Sequence, residues 1–155
     1  MSRPAEPTWR KLARLNAAER TALASACTLL ARARLDLARR GMRDILEELA
    51  SPPLGPALAD EKLERISWAI AAAANRVPWR ADCLVQAMAA ARWLRRHDCG
   101  WRLLIGVRRS TSGGLEAHAW LSSADTVITG DLPDLDSFRS IPLAEFNKLK
   151  IHLNQ

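Results

Sequence analysis

The chain has 155 residues, 48% of them hydrophobic, with a formal net charge of +6 and a pI near 10.0. That length suits about one domain with a real core, and no run approaches the roughly 18 uninterrupted apolar residues of a membrane span. The start, Met1-Ser2-Arg3-Pro4-Ala5-Glu6, lacks the apolar stretch of a secretory signal, and three cysteines without CxxC spacing suggest neither a disulfide framework nor a zinc site.

The first 75 residues read as helices. A short one is expected from Pro7 or Thr8 to Leu15. Asn16-Ala17-Ala18-Glu19 then matches a capping box. The helix it opens carries Leu23, Ala26 or Cys27, Leu30, Ala33 and Leu37 at three-to-four spacing, with Gly41 as its stop. Met42 to Ala50 adds a shorter helix. Ser51-Pro52-Pro53-Leu54-Gly55-Pro56 must be a break, and the next helix runs from about Leu58 to Asn75 on a stripe of Leu63, Ile66, Ile70 and Ala73 or Ala74.

After the break at Val77-Pro78-Trp79 the character changes. A helix from about Ala81 to His97 ends at Cys99-Gly100. Trp101 to Arg108 reads as a strand, Ser110-Thr111-Ser112-Gly113-Gly114 as a turn, Glu116 to Ser122 as the next strand, and Thr126 to Asp131 as a third. Phe138 to Leu143 is expected as a fourth, edge strand, its end weakened by Pro142. The expectation is an α+β fold: a helical N-terminal region over residues 1–75, then a core over 76–155 of one helix packed on a small antiparallel sheet.

Three residues of the second half have the chemistry of a thiol hydrolase, in chain order Cys83, His118, Asp131. Cys83 opens a helix, where unpaired N–H groups and the dipole are expected to favour thiolate. Asp82 as N-cap fixes the helix start, although its charge opposes the thiolate. Alternation places Glu116, His118 and Trp120 on one strand face, and Ala117, Ala119 and Leu121 on the other. Asp131 ends the following strand, from which its carboxylate can accept from the histidine ring and fix its tautomer. Asp125, Asp134 and Asp136 are rival carboxylates. For an oxyanion hole the Cys83 N–H is one natural donor; Asn75, Gln86 and Trp79 Nε1 compete as the second. Trp79 and Trp120 are placed near the site, while Cys27, Cys99 and the remaining tryptophans read as packing. His97 suits a helix C-terminus, and His152 falls in a charged tail.

Val77-Pro78-Trp79-Arg80-Ala81-Asp82-Cys83-Leu84-Val85-Gln86-Ala87, Leu104-Ile105-Gly106-Val107-Arg108-Arg109, Glu116-Ala117-His118-Ala119-Trp120 and Gly130-Asp131 together resemble the transglutaminase-like cysteine protease of lasso-peptide biosynthesis, in the stand-alone form of the split B protein. The resemblance implies a papain-like fold with Cys83, His118 and Asp131 as catalytic triad, Trp79, Gln86 and Trp120 against substrate, and no cofactor or metal. It implies a bacterial cytoplasmic leader peptidase acting on a ribosomally made precursor, with a separate small leader-binding protein and an ATP-dependent cyclase as partners. The chain has no room for a leader-binding domain of its own, in keeping with the split form. The Ser110–Gly114 loop is where substrate fit is left open. The competing reading is a non-enzymatic basic adaptor or nucleic-acid-associated protein. The arginines are scattered along helices without a compact basic run, which argues against nucleic acid as a partner.

Overall fold

The computed structural model describes residues 14–111 and 113–141. The short helix expected before Leu15 and the tail with His152 lie outside them. Among the described residues the order is α1 (Ala17–Arg39), α2 (Met42–Leu49), α3 (Asp60–Ala74), α4 (Cys83–Arg95), β1 (Arg102–Arg109), β2 (Leu115–Ser123), β3 (Thr126–Thr129), a 3₁₀ turn (Leu135–Ser137) and β4 (Arg139–Ile141). This is an α+β fold.

The start of α1 is set by local chemistry. Asn16 Oδ1 accepts from the Glu19 N–H at 2.9 Å, and Glu19 Oε2 accepts from the Asn16 N–H at 2.8 Å, so two otherwise orphaned donors are satisfied. Gly41, expected only as the stop of α1, is also the N-cap of α2. The end of α2 and the start of the proline-rich break are held by residues later in the chain: Trp101 Nε1 donates to the Leu49 carbonyl at 2.8 Å, Arg95 Nη2 donates to the Ser51 carbonyl at 3.1 Å, and the Arg95 guanidinium lies over the Trp101 ring at 5.0 Å.

The four strands form one antiparallel sheet in the order β3-β2-β1-β4. The expected fourth strand is thus present at an edge. Helix α1 packs on α3 and α4, α3 on β3, and α4 on β2. Ala87, Ala90 and Ala91 of α4 and Ala117 and Ala119 of β2 are all buried. Small side chains on both elements allow the helix to approach the strand closely. One continuous cluster of buried apolar residues runs from Ala22 in α1 through Leu63, Ile70 and Leu94 to Ile105, Leu121 and Ile128 of the sheet. Arg92 Nη2 donates to Asp36 Oδ2 at 2.6 Å and ties α4 to α1.

No helix among the described residues is long and apolar enough to cross a membrane.

Candidate functional site

The site is built where α4 begins. Asp82 is the N-cap, its Oδ1 accepting from the Val85 N–H at 3.1 Å, so the helix cannot start earlier and Cys83 is its first residue. The N–H groups of Cys83 and Leu84 have no earlier turn to bond. Both are directed at the Cys83 sulfur, and a third N–H reaches it from Ala119 of β2.

The pairing of β2 with β3 runs only from Ser123 to Leu121, with a register shift at Leu121/Ser122. Beyond it lies a cavity of about 430 Å³. Cys83, Asp82 and Gln86 line it from α4, Ala117 and His118 from β2, Ser67 and Ala71 from α3, and Thr129, Gly130 and Asp131 from the end of β3. Cys83 and Gln86 therefore share one cleft with His118 and Asp131, although the three segments are far apart in sequence.

His118 is held from three sides. Its Nε2 is 2.7 Å from the Gly130 carbonyl oxygen. A carbonyl can only accept, so Nε2 carries the proton and Nδ1 of the neutral ring keeps its lone pair. The Trp120 ring stacks beside it at 6.2 Å between centroids, and the Phe138 ring lies against it at 5.5 Å. Two glycines make this possible. Gly106 pairs with His118 across β1 and β2; a methyl group there would lie 2.7 Å from Phe138 Cβ and 2.9 Å from Trp120 Cζ3. Gly130 has φ +80° and crosses β2 so closely that its own methyl would strike the Ala119 carbonyl and stand 2.8 Å from Trp120 Cα.

Three expectations are corrected by this geometry. The ring nitrogen meets the Gly130 carbonyl where an Asp131 carboxylate contact was expected; Asp131 is exposed at the cavity rim. The thiol is pushed above its ordinary value of 9.0, where the helix start was expected to pull it down. Burial is the largest cause and the Asp82 charge adds to it, and both outweigh the N–H groups of Ala119, Leu84 and Cys83. Trp120, expected against substrate, is buried behind His118 with 8% of its surface exposed.

The candidate oxyanion donors are also separated. Gln86 Nε2 is already engaged, donating to the Ala81 carbonyl at 2.7 Å. Asn75 is an exposed helix C-cap. Trp79 Nε1 is buried with no hydrogen-bond partner, as is Thr129 Oγ1 in the cavity wall. Of the other cysteines, Cys27 packs against the core, and Cys99 is buried with its sulfur 3.3 Å from Ser123 Oγ. Among the described residues no cluster of His, Cys, Asp and Glu has the makings of a metal site.

A further group, not singled out as functional in the sequence, closes the outer face. Arg108 of β1 donates through Nε to Glu116 Oε2 at 2.7 Å, and through Nη1 to Asp134 and to Ser137 Oγ at 2.8 Å. Its guanidinium lies 4.2 Å above the Phe138 ring. The bond from Arg108 holds the Asp134 carboxyl below its ordinary value of 3.8. The sequence signal for this cluster is the alternation that puts Arg108 of β1 on the same sheet face as Glu116 and His118 of β2.

A thiol at a helix tip and an imidazole from the adjacent sheet, opening on one cleft, are the parts that papain-like and transglutaminase-like folds share. The sequence model of the transglutaminase-like superfamily matches residues 10–142, and the chain belongs to that superfamily. No curated protein and no solved structure matches it significantly.

Proposed function

We propose that the chain is a cysteine peptidase that removes the leader from a ribosomally made lasso-peptide precursor. The observation that carries the reading is the shared cleft: the Cys83 sulfur and a His118 ring with Nδ1 unprotonated open on the same cavity. The choice of precursor rests on the motifs around Cys83, Ile105-Gly106 and His118 that resemble the lasso-peptide proteases.

The resting cysteine is a neutral thiol, because burial favours that form. As Cys83 Sγ attacks the carbonyl of the last leader residue, its proton passes to His118 Nδ1. The tetrahedral oxyanion takes the Cys83 backbone N–H as one donor. We assign the second to the Trp79 indole, a buried donor without a partner, which does not line the resting cleft and turns toward it as the peptide binds. His118 returns the proton to the departing amine of the core peptide, leaving a thioester. Water, deprotonated by Nδ1, then attacks the thioester; Sγ leaves and is reprotonated, and the leader departs as a carboxylic acid. Asp131 stands next to the carbonyl that orients the ring and offsets the charge of the imidazolium. Gln86 and Thr129 lie where they meet the peptide. The freed core amine becomes the substrate of a separate ATP-dependent cyclase, and a small leader-binding protein presents the precursor.

Precursor incubated with the chain and the leader-binding partner, followed by mass spectrometry, tests this. Cleavage between leader and core is expected, and it is abolished in Cys83→Ala and His118→Ala. Normal cleavage by Cys83→Ala would sink the assignment and return the chain to the adaptor reading.

A further inference from the structure

The geometry points to Arg108 as the positioning residue for the base: it clamps the segment between Gly130 and Phe138 onto the sheet and so fixes which nitrogen of His118 faces the thiol. The inference rests on His118 being the base of the proposed reaction.

The ring is gripped by both ends of one segment. Gly130 provides the carbonyl that takes the Nε2 proton, and Phe138 provides the aromatic wall. Between them the backbone bonds among the described residues are tight local turns, Leu135 N–H to Leu132, Ser137 N–H to Asp134 and Phe138 N–H to Leu135. These bonds shape the segment but do not attach it to β2. Arg108 does. From β1, beside the strand of His118, one guanidinium bonds Asp134 and Ser137 of the segment and Glu116 of β2, and it lies over the ring of Phe138. Glu116 lies two residues before His118 on the same strand face and also lines the cavity. The planar fork is thus shared between the strand that carries the base and the loop that orients it.

This arrangement needs arginine specifically. A lysine keeps the charge but has neither the fork to reach three partners nor a flat face to stack on Phe138. Asp134 and Ser137 are both exposed, so their bonds to Arg108 do little for the core. Their effect is on the register of Gly130 and Phe138 against the imidazole.

The test compares the full-length wild type with Arg108→Gln and Arg108→Lys, using ¹⁵N-labelled chain and long-range proton–nitrogen correlations at pH 8.5, above the ordinary imidazole range. Wild type is expected to show one His118 tautomer with the proton on Nε2. Arg108→Gln is expected to show averaging of the two tautomers and about tenfold slower alkylation of Cys83 by iodoacetamide, a modest share of what a general base contributes. Arg108→Lys should recover only part of both. Should Arg108→Gln fail to fold, the double variant Asp134→Asn/Ser137→Ala removes the loop side of the clamp from an exposed surface and carries the same expectations. A single Nε2–H tautomer in a folded clamp variant overturns the assignment, whatever the alkylation rate. Neither readout uses a peptide, so failure of precursor cleavage by wild type counts against the peptidase reading alone.

Discussion

The imidazole of His118 and the carbonyl oxygen of Gly130, 2.7 Å apart, divide the work usually given to a carboxylate. The carbonyl fixes the tautomer, and Asp131, the next residue, is left with a charge effect from the exposed rim. Asp131→Asn is therefore expected to lower precursor turnover by about tenfold, whereas His118→Ala lowers it by about a thousandfold, within the range of a lost general base. Initial rates with chromatographic detection of the freed core peptide separate the two. Equal losses would mean that the carboxylate, and not the carbonyl, sets the ring.

The raised thiol has a pH signature of its own. Iodoacetamide alkylation of Cys83 should keep rising beyond the ordinary thiol value of 9.0, with no plateau at neutral pH. The folded chain holds this proton more tightly than the unfolded chain does. Its contribution to stability is thus complete below about pH 9 and is lost as pH rises through the unfolded and then the folded value. Urea melts at pH 7 and pH 10 should show a larger loss for wild type than for Cys83→Ala. An alkylation plateau at pH 6–7 would indicate a preformed thiolate.

At Gly106 the added methyl meets Cβ of Phe138 and the ring of Trp120, neither of which is free to swing away from His118. Gly106→Ala should cost about 1–3 kcal/mol through overpacking. Gly130→Ala should cost more, because the left-handed φ and the blocking Ala119 backbone act together. Equilibrium denaturation gives both values, and a neutral Gly130→Ala would contradict the close crossing of β2.

The two buried indole donors predict opposite outcomes. Trp101→Phe leaves the Leu49 carbonyl without its bond and should destabilise by about 1–2 kcal/mol, with Cys83 alkylation unchanged. Trp79→Phe removes a donor that has no partner, so stability should be level or slightly higher. Turnover should fall by about a hundredfold, as for a lost oxyanion donor, with KM little altered. Full activity in Trp79→Phe would move the second donor elsewhere.

Much of this architecture is legible in short stretches of sequence. Asn16 and Glu19 cap each other three residues apart, Asp82 accepts from Val85 N–H at the same spacing, and the alternation through Glu116–Leu121 separates the site face from the core face. These are local rules with fixed spacing. The direction of the Cys83 shift was not legible, because the helix start is visible in sequence while the burial that outweighs it comes from tertiary packing. The Gly130 carbonyl was hidden for a different reason: backbone groups carry no residue label, so Asp131, one position on, looked like the natural partner. Arg108 reaches Asp134 and Ser137 across the sheet and a loop, and no spacing rule announces such a contact. Alternation puts Trp120 on the face of His118, where the two rings stack, but it does not say that Phe138 and its segment cover that face.

The burial of Cys83 and its Asp82 neighbour bear on how the proposed peptidase survives in a cell. Peroxide and disulfide-forming reagents attack sulfur in proportion to its anionic character and its access to solvent. A half-buried thiol with a carboxylate as its immediate chain neighbour presents little of either. In the proposed peptidase, burial first and the helix-starting carboxylate second keep an idle warhead from being spent on oxidants before a peptide arrives.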